Sequence, residues 1–239
     1  MKEIKILHLF PRLLSLYGEY ANLSVLKLYL EKNAYNVSIS ECEDGIADFI
    51  GFDMIYVGSG TEDNIIHGAK ALLPQKENVK NSIENGALWL STGNSLALFG
   101  EKIITAENEA YDACGIFHFV TNEEKQRFSG DAMTEGFCGL PLIGYINNSY
   151  RFEGITDCFT KLTLNATLGN NKKTGEEGCR FNNFYATTLT GPLLAKNPHV
   201  TEYFMEKITG EKVTIPEEDN IKKAYKISAA QLKKRQSNN

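Results

Sequence analysis

The sequence has no apolar run that approaches about 18 residues, the minimum for a helix that crosses a membrane. Its first residues, 1–7, alternate charged and apolar side chains and contain no apolar segment of the kind found in a signal peptide. We therefore expect no membrane span and no signal peptide, and we predict a cytoplasmic protein. The length of 239 residues is enough for one large domain or two small ones.

Cysteine is scarce and scattered. The chain has five cysteines, and none of them belongs to a Cys-x-x-Cys pair. An odd number without paired spacing argues against a disulfide scaffold and against a zinc ribbon, so no metal site is predicted. Two interpretations stay open: all five are reduced structural thiols, or one of them is a nucleophile. The five are Cys42, Cys114, Cys138, Cys158 and Cys179.

Positive charge is in deficit, with 25 Lys and Arg against 30 Asp and Glu and a net charge of −5. This acidic balance excludes a general nucleic-acid binder. Residues 222–239 are the exception, because they hold six basic residues and no acidic one, which leaves −11 on the rest of the chain. A solvated helix end explains this segment, and a tail that binds an anion or a partner is the alternative.

The first hundred residues alternate strand and helix patterns. Short apolar runs bounded by turn residues predict strands, and leucines with helical spacing over 22–32 predict a helix between the first two. Strands of this length that alternate with helices are typical of an α/β fold with a mostly parallel central sheet and helices on both faces. The predicted strands are 4–10, 37–40, 54–57 and 87–90.

From residue 101 to about residue 186 the pattern changes to short strand-like runs separated by turns. We expect these runs to form a mixed or antiparallel extension of the same sheet. Helices are predicted over 199–208 and 217–236, and no repeat or low-complexity linker is present. We predict one domain over 1–210, followed by a helix and basic tail over 211–239. The strand-like runs are 116–120, 142–145, 161–164 and 180–187.

Glycine-rich turns follow the third and fourth predicted strands, at 58–60 and at 91–100. Open parallel sheets bind ligands at the carboxyl ends of their strands, where backbone N–H groups converge. The sequence contains neither the G-x-x-x-x-G-K-[ST] nor the G-x-G-x-x-G pattern, so neither turn predicts a nucleotide site. We therefore predict a ligand site at this edge of the sheet and no cofactor.

Four segments in order carry a resemblance to a known family: the tyrosine-glycine segment 16–23, the glycine turn 58–60, the turn at Gly93 and the segment 188–198. Together they resemble the CobB/CobQ-like class I glutamine amidotransferases. Within that family the similarity is to the amidotransferase (GatD-type) subunits of lipid II isoglutaminyl synthase. The Gly-Pro-Leu-Leu-x-Lys-Asn-Pro pattern in 188–198 is the most specific part.

The resemblance implies a flavodoxin-like fold and the hydrolysis of glutamine to glutamate and ammonia. It also implies a Mur-ligase-like synthetase partner, which would supply ATP and the acceptor in the amidation of a peptidoglycan precursor. A small amino-acid-like ligand such as glutamine would bind in the pocket. The implied substrate-binding positions are Gly58, Ser59, Gly60, Asn94 and Arg127.

The resemblance fails at the two positions that carry the chemistry. Gly93 stands where the family has its nucleophilic cysteine, and Thr190 stands where it has its histidine base. Glycine has no side chain to attack with, yet it adopts the strained backbone of such a turn without penalty. We therefore predict an amidotransferase scaffold that has lost glutaminase activity, which leaves its status as an enzyme open.

Two alternatives remain. The chain could be an active glutaminase or other hydrolase with an unconventional nucleophile, either Thr92, Ser95 or a cysteine that is near in space. It could instead be a flavodoxin-like binding module unrelated to glutamine. None of the histidines falls by sequence at the predicted pocket, and His8 and His118 are predicted as core or edge residues of strands.

Overall fold

The structure is a computed structural model that describes residues 2–237. The strands are β1 Glu3–Leu9, β2 Asn36–Cys42, β3 Met54–Val57, β4 Leu88–Thr92, β5 Lys102–Ile104, β6 Ala110–Asp112, β7 Val120–Phe137, β8 Leu140–Glu153, β9 Thr160–Leu164, β10 Glu176–Glu177, β11 Cys179–Phe181, β12 Phe184–Thr187 and β13 Leu189–Thr190. The helices are α1 Ala21–Lys32, α2 Glu62–Leu72, α3 Lys76–Glu84, α4 Leu193–Lys196, α5 Pro198–Thr209 and α6 Asn220–Gln236.

The first sheet has the strand order β11-β12-β4-β3-β1-β2, and all its pairings are parallel except that between β11 and β12. Every residue of β3 and β4 is buried, as expected for central strands covered on both faces. The predicted α/β fold with a mostly parallel sheet is therefore confirmed.

Helices cover this sheet on both sides because successive side chains of its strands point in opposite directions. In β3, Ile55 and Val57 belong to one core cluster together with residues of α2 and α3. Met54 and Tyr56 belong to the other cluster, with residues of α1 and α5. The strands thus supply one apolar surface to each helical layer.

Most of the later strands form a second sheet, which corrects the expectation that they extend the first; this sheet is mixed, since β5 and β7 pair in parallel and its other pairings are antiparallel. Its path is β10-β9-β7-β5-β6, and β8 pairs with β7 and with β13. The long strands β7 and β8 form a hairpin that pairs from Val120 opposite Glu153 to Phe137 opposite Leu140, with register shifts between Glu123 and Phe128 and between Met133 and Gly136. Of the run predicted over 180–187, β11 and β12 do join the first sheet, β12 parallel to β4 and β11 antiparallel to β12.

The strand expected over 116–120 is also wrong. The backbone N–H groups of Ile116 and Phe117 both donate to the carbonyl of Phe99, so the chain turns here instead of entering a ladder. His118 is consequently not a core or edge residue: its side chain is 95% exposed and hydrogen-bonds to Glu101.

The predicted C-terminal helix is present as α6, whose first turn is capped by the Asp219 side chain. Tyr225 and Leu232 of α6 are buried against Met133 and Ile143 of the second sheet. The division of the chain into 1–210 and 211–239 stays a prediction. Over residues 2–237, no helix is both long and apolar enough to cross a membrane.

Candidate functional site

The turn predicted at Gly93 lies at the carboxyl end of β4. The strand ends at Thr92, and a 3-10 helix, Gly93–Phe99, begins at once. Gly93 has a φ of 68°, in the left-handed region that side chains other than glycine adopt only with strain. The chain therefore makes a sharp, buried strand-to-helix turn at Gly93, and glycine adopts this backbone conformation without strain.

Three of the predicted segments meet at this elbow. A Cβ atom built on Gly93 would overlap with the Cβ of Ser59 and would lie 3.0 Å from the Ser59 Oγ. It would also lie 3.3 Å from the Cγ2 of Thr190. The structure thus brings the predicted nucleophile and base positions into contact. It also shows that Ser59 occupies the space that a side chain at position 93 would need.

Asn94 ties the glycine turn to the elbow. The Gly60 N–H donates to Asn94 Oδ1 at 3.0 Å, and Asn94 Nδ2 donates to the Gly60 carbonyl at 2.8 Å. Gly58 packs so closely that a Cβ there would lie 2.6 Å from the Leu14 carbonyl oxygen. The glycine turn is therefore held against the elbow by two hydrogen bonds to Asn94 and by close backbone packing at Gly58.

Arg127 lies at the rim of the site and is 41% exposed. It pairs with Glu62 and donates to the carbonyl and side-chain oxygens of Asn147, each at 3.4 Å. Asn147 Nδ2 in turn donates to the Tyr17 hydroxyl at 2.9 Å, and the Tyr17 carbonyl lies 3.7 Å from a Cβ built on Gly191. Arg127 is thus part of a polar rim beside the turn that follows Thr190 in the chain.

The two hydroxyls proposed as alternative nucleophiles are engaged in the interior. Thr92 is fully buried, donates to the Glu19 carboxylate and lies 2.9 Å from the Tyr56 hydroxyl. Ser95 is also fully buried and donates to the Thr92 carbonyl at 2.9 Å. Neither hydroxyl hydrogen-bonds to an imidazole within residues 2–237, so neither has the base that a serine or threonine nucleophile requires.

The surroundings of the five cysteines raise the pKa of each thiol. Burial raises the pKa of Cys114 and Cys179 to about 12, and the pKa values of the other three cysteines are raised as well. A nucleophilic cysteine needs the opposite shift. Across residues 2–237, no group of His, Cys, Asp and Glu has an arrangement that could hold a metal ion.

A buried carboxylate beneath the elbow was not predicted as part of the site. Glu19 is fully buried, and its Oε1 accepts from the Gly191 N–H at 2.9 Å. Its Oε2 accepts from the Tyr56 hydroxyl at 2.9 Å, from Asn22 Nδ2 at 3.1 Å and from Thr92. Burial raises the pKa of Glu19. The only sequence signal was its place beside the glycine of segment 16–23, which does not reveal burial.

A second buried carboxylate, Glu177 of β10, holds the chain that leads to Thr190. It accepts from the hydroxyl of Thr187 at 3.0 Å, and from both the hydroxyl, at 3.0 Å, and the backbone N–H of Thr188. Burial raises the pKa of Glu177 from its ordinary value of 4.5 to about 7. Between pH 4.5 and 7, Glu177 therefore keeps its proton in the folded protein, whereas the same residue has lost its proton in the unfolded chain.

This shift predicts that Glu177→Gln changes how stability depends on pH. Between pH 4.5 and 7 the wild-type protein loses a contribution of about 3 kcal/mol, which the glutamine variant keeps. The difference in the free energy of unfolding, variant minus wild type, should therefore rise by about that amount across the interval. Urea unfolding of both proteins at several pH values measures this difference.

The comparison must be made between the two proteins because buried His8 and His199 act in the opposite direction. Burial lowers the pKa of each to about 4, so each adds stability as the pH rises toward 6.5. The contributions of the two histidines are the same in wild type and variant, so they cancel when the free energies of unfolding are subtracted. Parallel pH profiles for wild type and variant would show that the Glu177 pKa is not raised.

Comparison with solved structures identifies the fold. A crystal structure described as a glutamine amidotransferase matches with a TM-score of 0.52 and 15% sequence identity, over 84% of this chain and 98% of its own. The chain therefore has the fold of the glutamine amidotransferases. No protein-family model matches the sequence.

Two proteins with related sequences are more specific than the fold. The lipid II isoglutaminyl synthase (glutamine-hydrolyzing) subunit GatD of Staphylococcus aureus (strain N315) is 28% identical over 234 residues, which are 97% of this chain and 95% of the relative. The subunit of the same name from Streptococcus pneumoniae (strain ATCC BAA-255 / R6) is 25% identical over 92% of this chain and 87% of its own. The predicted resemblance to GatD-type amidotransferases is confirmed, and this chain is a homologue of these subunits.

Proposed function

We propose that this chain is a GatD-type amidotransferase-like subunit that does not hydrolyse glutamine. The observation that carries the proposal is the elbow, where Gly93 offers no nucleophile and Ser59 fills the space of the missing side chain. Glutamine hydrolysis through a thioester requires a nucleophilic side chain at this point. A cysteine restored at position 93 alone would clash with Ser59.

The base of the reaction is also missing. Thr190 supplies no imidazole, and its hydroxyl donates to the Tyr145 carbonyl at 2.9 Å. The nucleophile and base positions are thus substituted together, which supports a loss of the whole reaction.

We further propose that the chain assembles with a Mur-ligase-like synthetase that amidates lipid II or a related peptidoglycan precursor. Support comes from the relatives, whose names describe a subunit of lipid II isoglutaminyl synthase. A small amino-acid-like ligand such as glutamine would contact the rim formed by Arg127, Glu62 and Asn147. Without glutaminase activity the chain would stabilise or regulate its partner, and the synthetase would draw on free ammonia.

The two alternatives receive less support. The hydrolase alternative requires a reactive hydroxyl or thiol, whereas Thr92 and Ser95 are buried and hydrogen-bonded and every cysteine has a raised pKa. An unrelated flavodoxin-like module does not account for similarity to GatD subunits over 97% of the chain. Neither alternative is favoured by a specific contact in the structure.

The proposal predicts that the chain forms a complex with the synthetase and that this complex does not use glutamine. Co-expressed with a Mur-ligase-like synthetase, the chain should co-elute with it in size-exclusion chromatography. The complex should amidate lipid II with an ammonium salt and ATP but not with glutamine, and ammonia release from glutamine should equal that of buffer. The Staphylococcus aureus relative with its own synthetase serves as the positive control. Ammonia release from glutamine that Thr92→Val or Ser95→Ala abolishes would favour the hydrolase alternative instead.

A further inference from the structure

Two of the five cysteines lie on neighbouring segments of the chain. Cys158 lies just before β9, and Cys179 is the first residue of β11. Both are free thiols, and Cys158 is partly exposed whereas Cys179 is only 5% exposed. Neither belongs to the elbow or to its polar rim, so any chemistry between them is separate from the glutaminase reaction.

Backbone hydrogen bonds place these two cysteines opposite each other. The Arg180 N–H donates to the Asp157 carbonyl at 2.9 Å. The Phe159 N–H donates to the Glu177 carbonyl at 3.0 Å. Between these bonds the first cysteine stands opposite two residues, Gly178 and the second cysteine. This two-against-one arrangement is a β-bulge, and the φ of 68° at Gly178 is the left-handed conformation of a glycine in the first bulge position.

The two thiols also lie on the same side of the paired segments. Phe159 packs against Tyr185 in the core cluster that contains residues of α1 and α5, with 5.8 Å between ring centroids. Because successive side chains along a paired segment point to opposite faces, Cys158 points away from this cluster. Cys179 belongs to the other core cluster, on the opposite face. The two side chains therefore share one face.

This placement suits a disulfide. Residues that face each other between two such hydrogen bonds have Cα atoms about 4.5 Å apart, and a disulfide spans about 4.4–6.8 Å between Cα atoms. Burial raises the pKa of Cys179, and the neighbouring Asp157 and Cys158 raise it further, which agrees with two sulfur atoms that lie near each other. A bond between them requires no rearrangement of the strands.

We propose that Cys158 and Cys179 are a redox pair that hydrogen peroxide converts into a reversible disulfide. The more exposed Cys158 thiolate attacks a peroxide oxygen and breaks the O–O bond, which yields a sulfenic acid and a hydroxide that takes up the proton released by the thiol. The Cys179 sulfur then attacks the sulfenic sulfur, and the sulfenic oxygen leaves as water with the Cys179 proton. Two thiols and one peroxide thus give one disulfide and two waters.

The disulfide fastens the segment that leads to the elbow. Glu177, two residues before Cys179, accepts hydrogen bonds from Thr187 and Thr188. The new bond closes a loop over residues 158–179, which contains β9 and β10, and a closed loop lowers the entropy of the unfolded chain. The disulfide form should therefore unfold at a temperature at least about 3 °C above that of the dithiol form.

Treatment of the folded full chain with hydrogen peroxide, followed by peptide mass mapping without reduction, tests the pair. We expect a cross-link between Cys158 and Cys179 that dithiothreitol removes. It should form faster at higher pH, because the thiolate is the reacting form. Cys158→Ser should abolish it, and since Cys158 is partly exposed this variant should keep its fold. Cys138→Ser is the matched control, because it removes an exposed thiol outside the pair and should leave the cross-link unchanged.

The exposed thiol of Cys138 also shows whether the oxidant has acted. Oxidation of Cys138 while Cys158 and Cys179 stay unlinked overturns the proposal. A cross-link that forms only in urea overturns it as well, and so does a cross-linked protein that unfolds no later on heating than the reduced protein. None of these readouts involves glutamine, so the proposed function stands or falls separately.

Discussion

The triple variant Ser59→Gly/Gly93→Cys/Thr190→His should release ammonia from glutamine, whereas the double variant Gly93→Cys/Thr190→His should not. Replacing the nucleophile and base positions alone is insufficient, because a Cβ at position 93 would overlap with that of Ser59. Glycine at position 59 removes the obstructing side chain. We expect the triple variant to release ammonia at least about tenfold faster than the double variant. This increase is smaller than the rate enhancement of about 10²–10⁴-fold that general acid–base catalysis supplies.

The rest of the geometry suits the restored pair. Thr190 Cγ2 lies 3.3 Å from a Cβ built on Gly93, so an imidazole at position 190 would be within reach of a thiol at position 93. A non-glycine residue with the φ of 68° found at Gly93 carries strain of about 1–3 kcal/mol, which the surrounding β4 and 3-10 helix must hold. The double variant adds the clash with Ser59 to this strain and should therefore also unfold at a lower temperature than the triple variant.

Two measurements separate activity from misfolding. Circular dichroism compares the folded content of the variants, and a glutamine-like electrophile followed by peptide mass mapping reports whether the introduced thiol is reactive. Ser59→Gly alone is the matched control and should show neither labelling nor ammonia release above buffer. If the double variant were as active as the triple variant, Ser59 would not be the obstruction that the structure indicates.

Glu19→Ala should lower the free energy of unfolding by about 3–5 kcal/mol, because several buried donors would lose their acceptor at once. The Gly191 N–H, the Tyr56 hydroxyl and the Asn22 amide all donate to this carboxylate. These groups come from different parts of the fold, so the loss would loosen the turn after β13 as well as the start of α1. Urea or thermal unfolding at pH 7 measures the effect.

Glu19→Gln is the conservative comparison. The amide keeps an acceptor oxygen for Gly191, and its NH₂ group can donate to the hydroxyls of Tyr56 and Thr92. The Asn22 amide loses this acceptor but keeps the Glu19 carbonyl and the Tyr56 hydroxyl. We expect it to lose no more than about 1 kcal/mol, since it also avoids burying a charge. Glu41→Ala, at an exposed position of β2, controls for the removal of an acidic side chain. A Glu19→Ala protein as stable as the Glu41→Ala protein would contradict the role assigned to the buried carboxylate.

Strands and helices with strong local patterns could be predicted from the sequence, and their boundaries differ by only a few residues. The strand at 54–57 matches β3, and the helix at 199–208 lies within α5. The prediction of a strand over 116–120 was wrong because the apolar residues of this run lie in a turn that packs against the core. An apolar run has the same composition in a buried turn as in a strand, so its sequence does not separate the two. The second sheet was missed for a similar reason, since a strand pattern does not specify its partner.

The sequence was sufficient to predict the sharp turn at Gly93 after a buried strand. The resemblance to the family also led to the prediction that Thr190 stands at the base position, and the structure places this residue beside Gly93. It also excluded a disulfide or zinc scaffold. Tertiary packing supplied the rest. Ser59 fills the space beside Gly93, Asn94 occupies the Gly60 N–H, and Glu19 lies buried beneath them. These contacts join segments distant in the chain, and whether side chains meet depends on the packing of the strands and helices between them, which no local pattern encodes.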